Sequence, residues 1–210
     1  MQYFVARYLY NLVNEEMTRF ALSFLILGTL SFSAASMCIR FSTRWFWRQF
    51  YKLSAYWMGT VFILFTVTMG ERLLNLFLPI PKLLSLLIIS VTFILVFTQA
   101  IIGGNKLELK IVKTPSKKAK MPIRFVQLSD IHLGAINRKE VLQRLVSQTN
   151  ILNPEFIVIT GDLFDGNCDV EQDILEPLNS FVAPTYFVTG NHDYYQGVDA
   201  VRKQLSKTKV

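Results

Sequence analysis

Three stretches of the chain carry no charged side chain: residues 20–39, 53–70 and 83–102, of 20, 18 and 20 residues. At about 1.5 Å of rise per residue, each would form a helix about 27–30 Å long, the thickness of a bilayer's hydrocarbon core. A helix bathed in water keeps a polar face, and the run 83–97 has almost none. Three such helices in a chain of 210 residues leave too little protein to cover them. A plain soluble globule is excluded. Residues 1–103 are therefore expected to form a membrane region with three transmembrane helices, and 104–210 a separate soluble part.

Orientation follows from where the cations lie. The loop 40–52 holds Arg40, Arg44, Arg48 and Lys52 and no acid, whereas 71–82 holds Glu71, Arg72 and Lys82. After the third stretch come Lys106, Lys110, Lys113, Lys117, Lys118 and Lys120 against Glu108 alone. Basic and near-neutral loops alternate. The expectation is a multi-pass protein of the cell membrane with its N-terminus outside and its C-terminal half in the cytoplasm. Before the first stretch, Phe4, Val5, Tyr8, Leu9, Leu12, Val13 and Met17 trace an amphipathic helix, lying in the interface or extending the first span. Trp45, Phe46, Trp47, Phe50 and Tyr51 interleave with Arg44, Arg48 and Lys52 and read as an interfacial aromatic belt.

The net charge of +7 invites a nucleic-acid reading until it is located. Residues 1–121 carry 14 Lys/Arg against 4 Asp/Glu, while 122–210 carry 8 against 11. The soluble half is acidic, so no nucleic-acid partner is expected. Cys38 and Cys168 fall in different halves and lack a zinc-type partner spacing, so both are expected as free thiols.

Within the soluble half, Leu107, Leu109 and Ile111 alternate with polar positions and suggest a short strand, followed by a proline-bearing turn over 114–122. From there the pattern is strand and helix in turn. Strands are expected at 123–128, 156–160 and 185–189. One helix should begin at an Asn137–Glu140 capping box and bury Val141, Leu142, Leu145 and Val146. A second, short helix should be capped by Asp169 and turn Ile174, Leu175 and Leu178 inward, and a last one should bury Val198, Val201 and Leu205. Such alternation implies an α/β fold with a mostly parallel sheet and right-handed crossovers.

The chemistry-bearing residues all follow strands. Asp130 and His132 come after the first, Asp162 and Asp165 after the second, and Asn191, His192 and Asp193 after the third. Ligands of open α/β sheets bind at the carboxyl ends of strands, so the three turns should converge on one site. Oxygen donors mixed with imidazole suit Mn, Fe or Zn better than calcium. An Asp-x-His pair on extended backbone puts both side chains on one side, able to grip one ion. Gly161 and Gly190 let the chain turn tightly beside Asp162 and Asn191.

In this order and spacing the motifs D-x-H, G-D-x-x-D and G-N-H-D/E resemble those of the calcineurin-like metallophosphoesterases. The strings LSDIHLG, ITGDLFDG and VTGNHDYYQG look like the membrane-associated bacterial branch of that family, over about residues 105–200. The resemblance implies a partial αββα sandwich behind the transmembrane α-helices, with 104–210 as the N-terminal part of the phosphoesterase domain. It also implies two divalent metal ions (Mn, Fe or Zn). Asp130 and His132 would hold the first, Asp162 would bridge both, and Asn191 would hold the second and touch phosphate. His192 would protonate the leaving group or stabilise the transition state, and Asp165 would hydrogen-bond to His192 and raise its basicity. Asp193 is expected to be structural, and Tyr194 and Tyr195 to be wall. The implied function is a membrane-anchored hydrolase of phosphoesters, with a lipid-linked substrate suggested by the anchor. A non-catalytic membrane scaffold on a degenerate phosphoesterase fold is the alternative.

The family pattern continues with a further His and a G-H-x-H pair, whereas this sequence has two histidines in all, His132 and His192. The first ion keeps three ligands and the second two. The expectation is a C-terminally truncated domain with one sheet face exposed, weak metal binding and little hydrolysis by this polypeptide alone.

Overall fold

In a computed structural model, residues 1–13, 19–104, 106–115 and 121–210 are described. Met17 of the expected amphipathic face, Glu15, Glu16, and the juxtamembrane Lys117, Lys118 and Lys120 lie outside the described residues. The chain divides into two compact units, one of Met1–Ala35 with Phe50–Glu108, the other of Ser36–Gln49 with Leu109–Val210.

Four helices open the chain: α1 (Gln2–Leu12), α2 (Arg19–Phe41), α3 (Trp45–Phe77) and α4 (Lys82–Gly104). The last three contain the three charge-free stretches. Among the described residues, α3 and α4 are long and apolar enough to cross a membrane, and the apolar part of α2, Leu25–Phe41, is shorter. Leu83, Leu87, Ile94 and Leu95 of α4 are exposed. A helix that is apolar all round and uncovered by protein is suited to a hydrocarbon solvent.

At 33 residues, α3 is much longer than the span expected at 53–70. The loop expected over 71–82 is helical through Phe77 because Glu71, Arg72, Leu73 and Leu74 are good helix formers. Termination waits for Pro79 and Pro81, and the Asn75 side-chain oxygen accepts the Ile80 amide (3.0 Å) at that turn. The buried Glu71 carboxylate accepts hydrogen bonds from the Tyr8 hydroxyl and from Asn75 Nδ2. Phe4 meets Phe65 edge to face at 5.6 Å. Phe4 and Tyr8 of the apolar stripe of α1 thus meet α3.

The second unit is built on a three-stranded parallel sheet in the order β1–β2–β3, with β1 (Phe125–Leu128), β2 (Phe156–Thr160) and β3 (Thr185–Val188). Between and after the strands come α5 (Lys139–Ile151), α6 (Gln172–Leu175), a 3₁₀ turn (Glu176–Ser180), α7 (Asn191–Gln196) and α8 (Val198–Leu205). Side chains alternate across the strands. Ile157 and Ile159 point into a core with Leu142, Leu145 and Val146 of α5, Ile174, Leu175 and Leu178, and Val201 and Leu205 of α8. Leu133, Leu163 and Phe164, from the loops after β1 and β2, are fully buried in the same cluster. The opposite sheet face is open. Phe125 stacks on Phe156 at 5.0 Å, and Tyr186 and Val188 are exposed beside them. Parallel sheets are normally covered on both faces, so this is one half of a sandwich.

Several local expectations are corrected. Residues 106–115 form no strand, since an isolated extended segment has no ladder to join. The first strand begins at Phe125 and the third ends at Val188. Asn137 does not cap α5. Its Nδ2 donates to the Ile131 carbonyl (3.0 Å), closing the loop that holds Asp130 and His132, and Arg138 takes the cap position without a side-chain bond. Asp169 is likewise bypassed, because α6 starts at Gln172 with Glu171 extended before it. The short α7 was not foreseen, since its six residues have no apolar periodicity.

Phe164 joins the core directly to the loop after β2. Phe164→Ala is expected to lower the unfolding free energy of the detergent-solubilised chain by about 3–5 kcal/mol, read by pulse proteolysis in urea. A loss under about 1 kcal/mol would place Phe164 outside the load of the core.

Candidate metal centre

The loops leaving β1 and β2 run side by side. The His132 amide donates to the Asp162 carbonyl (3.0 Å), Leu133 to Leu163 (2.8 Å), and the Asp165 amide back to Leu133 (2.9 Å). These bonds hold an unusual backbone. Asp130 (φ 58°), His132 (φ 50°) and Asp162 (φ 53°) all lie in the left-handed region. Each costs roughly 1–2 kcal/mol for a residue with a side chain. Asp130 and His132 therefore share a side through left-handed turns, and the extended backbone expected for the pair is corrected. Three strained residues of the metal-ligand type in two adjoining loops mark a candidate site.

The loop after β3 closes the third side. A Cβ on Gly161 would lie 2.7 Å from Gly190 Cα, and one on Gly190 would lie 2.6 Å from the Asp162 nitrogen. Only two glycines allow these backbones to meet. Asp193, with no exposed surface, then ties the loops together. The amides of Asp162 and Gly190 donate to its Oδ2 (2.8 Å each), and that of Phe164 donates to its Oδ1 (3.0 Å).

Asp130, His132 and Asp162 present donor atoms that all lie within 4.8 Å of one another, and so do His132, Asp165 and His192. Nε2 of His132 is 3.8 Å from Asp130 Oδ1. The His132 and His192 rings meet edge to face at 4.6 Å. The His192 amide donates to Asp162 Oδ1 (2.9 Å), and its Nδ1 lies 2.8 Å from the Asp165 carbonyl oxygen. A carbonyl only accepts, so Nδ1 carries the hydrogen and Nε2 is left for other partners. The Asp165 carboxylate stands farther off, 3.8 Å from the same nitrogen. The main chain of Asp165 orients the imidazole. Asn191 opens α7 at this end of the sheet and is exposed.

The electrostatics suit a cation. Burial pushes the Asp165 carboxyl above the ordinary carboxylate range, against the pull of His132 and His192. His132 Nδ1 is buried without a hydrogen-bond partner among the described residues. Such a nitrogen is costly unless something binds it. A hard, oxygen-rich donor set with imidazole, held on strained turns, fits a divalent ion. Asp193 and Asn137 are the residues whose tasks the motifs hid. From sequence, Asp193 is expected to be structural but its amide partners are not evident, and Asn137 is expected to cap α5.

A parallel α/β sheet with metal-type donors gathered at the carboxyl ends of its strands defines the class. Residues 123–209 match the family model described as calcineurin-like phosphoesterase. An uncharacterized metallophosphoesterase of Campylobacter jejuni is 31% identical over 153 residues, 72% of this chain and 40% of that one. A transmembrane protein with metallophosphoesterase domain from Danio rerio is 48% identical over 75 residues, 35% of this chain and 17% of that one. An uncharacterized metallophosphoesterase of Helicobacter pylori is 31% identical over 101 residues, 46% of this chain and 27% of that one. The chain spans well under half the length of these curated relatives. No solved structure gives a significant match. Through its C-terminal region, the chain belongs to the calcineurin-like phosphoesterase family.

Cys168 sits beside this site, and both it and Cys38 are free thiols. Burial, followed by the charge of Asp165, pushes the Cys168 thiol up to about 11 from 9.0. Folding favours the neutral form, so this contribution to stability is present below 9.0 and is lost as pH rises through about 11. In a Cys38→Ser background, alkylation by iodoacetamide at pH 8 is expected to be about 100-fold slower in the folded chain than in urea. Equal rates would show that the thiol is not buried.

Proposed function

We propose that the chain is a membrane-anchored, metal-dependent phosphoesterase whose C-terminal region faces the cytoplasm. The observation that carries this reading is the approach of Asp130, His132 and Asp162 to within 4.8 Å of one another, beside an imidazole with one nitrogen held and the other free.

Asp130, His132 and Asp162 would hold one divalent ion, and Asp162 with Asn191 a second. When bound, the ions supply Lewis-acid activation of water and neutralise charge on the phosphoryl group. Every other task falls to the chain. One oxygen of Asp162 accepts the His192 amide, which fixes the carboxylate's direction, and its remaining lone pairs would serve the ions. His192, anchored through Nδ1, presents Nε2 as the atom that carries a proton to the departing oxygen. A second ion would have fewer protein donors than the first, so turnover should rise with metal well beyond the level that fills one site.

The helices α2–α4 would anchor the enzyme, and Arg40, Arg44 and Arg48, at and beside the turn between α2 and α3, support the cytoplasmic orientation. A tethered site meets headgroups at high effective concentration, which favours lipid-linked phosphoesters as substrates.

The detergent-solubilised chain is expected to hydrolyse bis-p-nitrophenyl phosphate only weakly with manganese and to lose that activity in EDTA. His192→Ala should lower kcat by about 10²–10⁴-fold while manganese affinity is retained. Equal rates in EDTA, or an unchanged kcat in the variant, would contradict the reading.

A further inference from the structure

His192 and Tyr195 stand three residues apart on α7 and therefore share one face of it, whereas Tyr194 is turned about 100° away. The Tyr195 ring meets the His192 imidazole edge to face, with centroids 5.4 Å apart. It is nonetheless 66% exposed. Its place is set by the backbone. Gly166, at φ 72°, comes so close to α7 that a Cβ there would lie 2.8 Å from Tyr195 Cβ and 2.7 Å from the His192 carbonyl oxygen. An aromatic residue pinned at its root, open over its ring, and in contact with the proton-bearing imidazole is not explained by packing.

We propose that Tyr195 is a specificity residue: its ring receives the flat or apolar face of the leaving group as the ester oxygen departs toward His192. The substrate class is then a phosphoester whose leaving group carries a ring next to that oxygen, rather than a small alkyl group. This rests on the metal-site reading above and adds to it. A ring-bearing ester should be bound about fivefold more tightly than its methyl counterpart, the usual worth of one aromatic contact.

Calorimetric titration of the manganese-loaded full chain with phenyl phosphate and with methyl phosphate, with any heat of hydrolysis subtracted, tests this through affinity. Wild type should favour phenyl phosphate about fivefold. Tyr195→Ala should bring the ratio to about one while methyl phosphate affinity stays unchanged, and Tyr195→Phe and Tyr194→Ala should keep it. Methyl phosphate affinity also reports whether a variant is folded. A wild-type ratio of one, or an unchanged ratio in Tyr195→Ala, overturns the assignment of Tyr195 alone. Failure of wild type to bind either ester overturns the metal-site reading and this inference with it.

Discussion

The site depends on one buried carboxylate. Asp193 accepts three main-chain amides, from Asp162, Phe164 and Gly190, and so binds the loop after β2 to the loop after β3. Charge-assisted bonds of this kind are stronger than ordinary ones, and a carboxylate with no exposed surface is tolerable only when so satisfied. With the two loops joined, the His192 amide reaches Asp162 and its ring reaches the Asp165 carbonyl. The donors of two loops thus become one set through a residue that does not face the site.

That clamp also explains how the fold bears its strain. Left-handed Asp130, His132 and Asp162 would relax in a free loop. Here they are held by the main-chain ladder between 130–134 and 161–165 on one side and by Asp193 on the other. Leu133, Leu163 and Phe164 alternate with the strained residues and sink into the core. Each loop buries its apolar members to aim its polar ones outward, so core packing and site geometry are a single constraint.

Much of this could be read from residue identity. Charge-free stretches located the apolar helices, and alternation located a parallel sheet, because both signals are written locally, one in the absence of charge and the other in burial. Asp130, His132 and Asp162 could be grouped because each follows a strand that burial had already marked. Other features depended on partners far away in sequence. The burial of Glu71 on α3 relies on a hydroxyl from Tyr8, and Asn137 chose the Ile131 carbonyl over the helix end that its spacing suggested. The left-handed backbone of Asp130 and His132 has only a weak local signature, the general tolerance of Asp and His for that region. The short α7, with the clamp and the His192–Tyr195 contact it carries, is set by Asp193's reach across to β2's loop rather than by any periodicity.

On the proposed reading, Asp193 shapes the metal site from outside the donor set. The direct test is calorimetric titration of manganese into wild type and Asp193→Asn, with folding of both checked by limited proteolysis. The amide turns an N–H₂ or loses an acceptor toward three amide donors, so the loops should loosen and manganese affinity should fall at least about tenfold, as for other residues that orient ligands. A folded Asp193→Asn chain that binds manganese as tightly as wild type would contradict it.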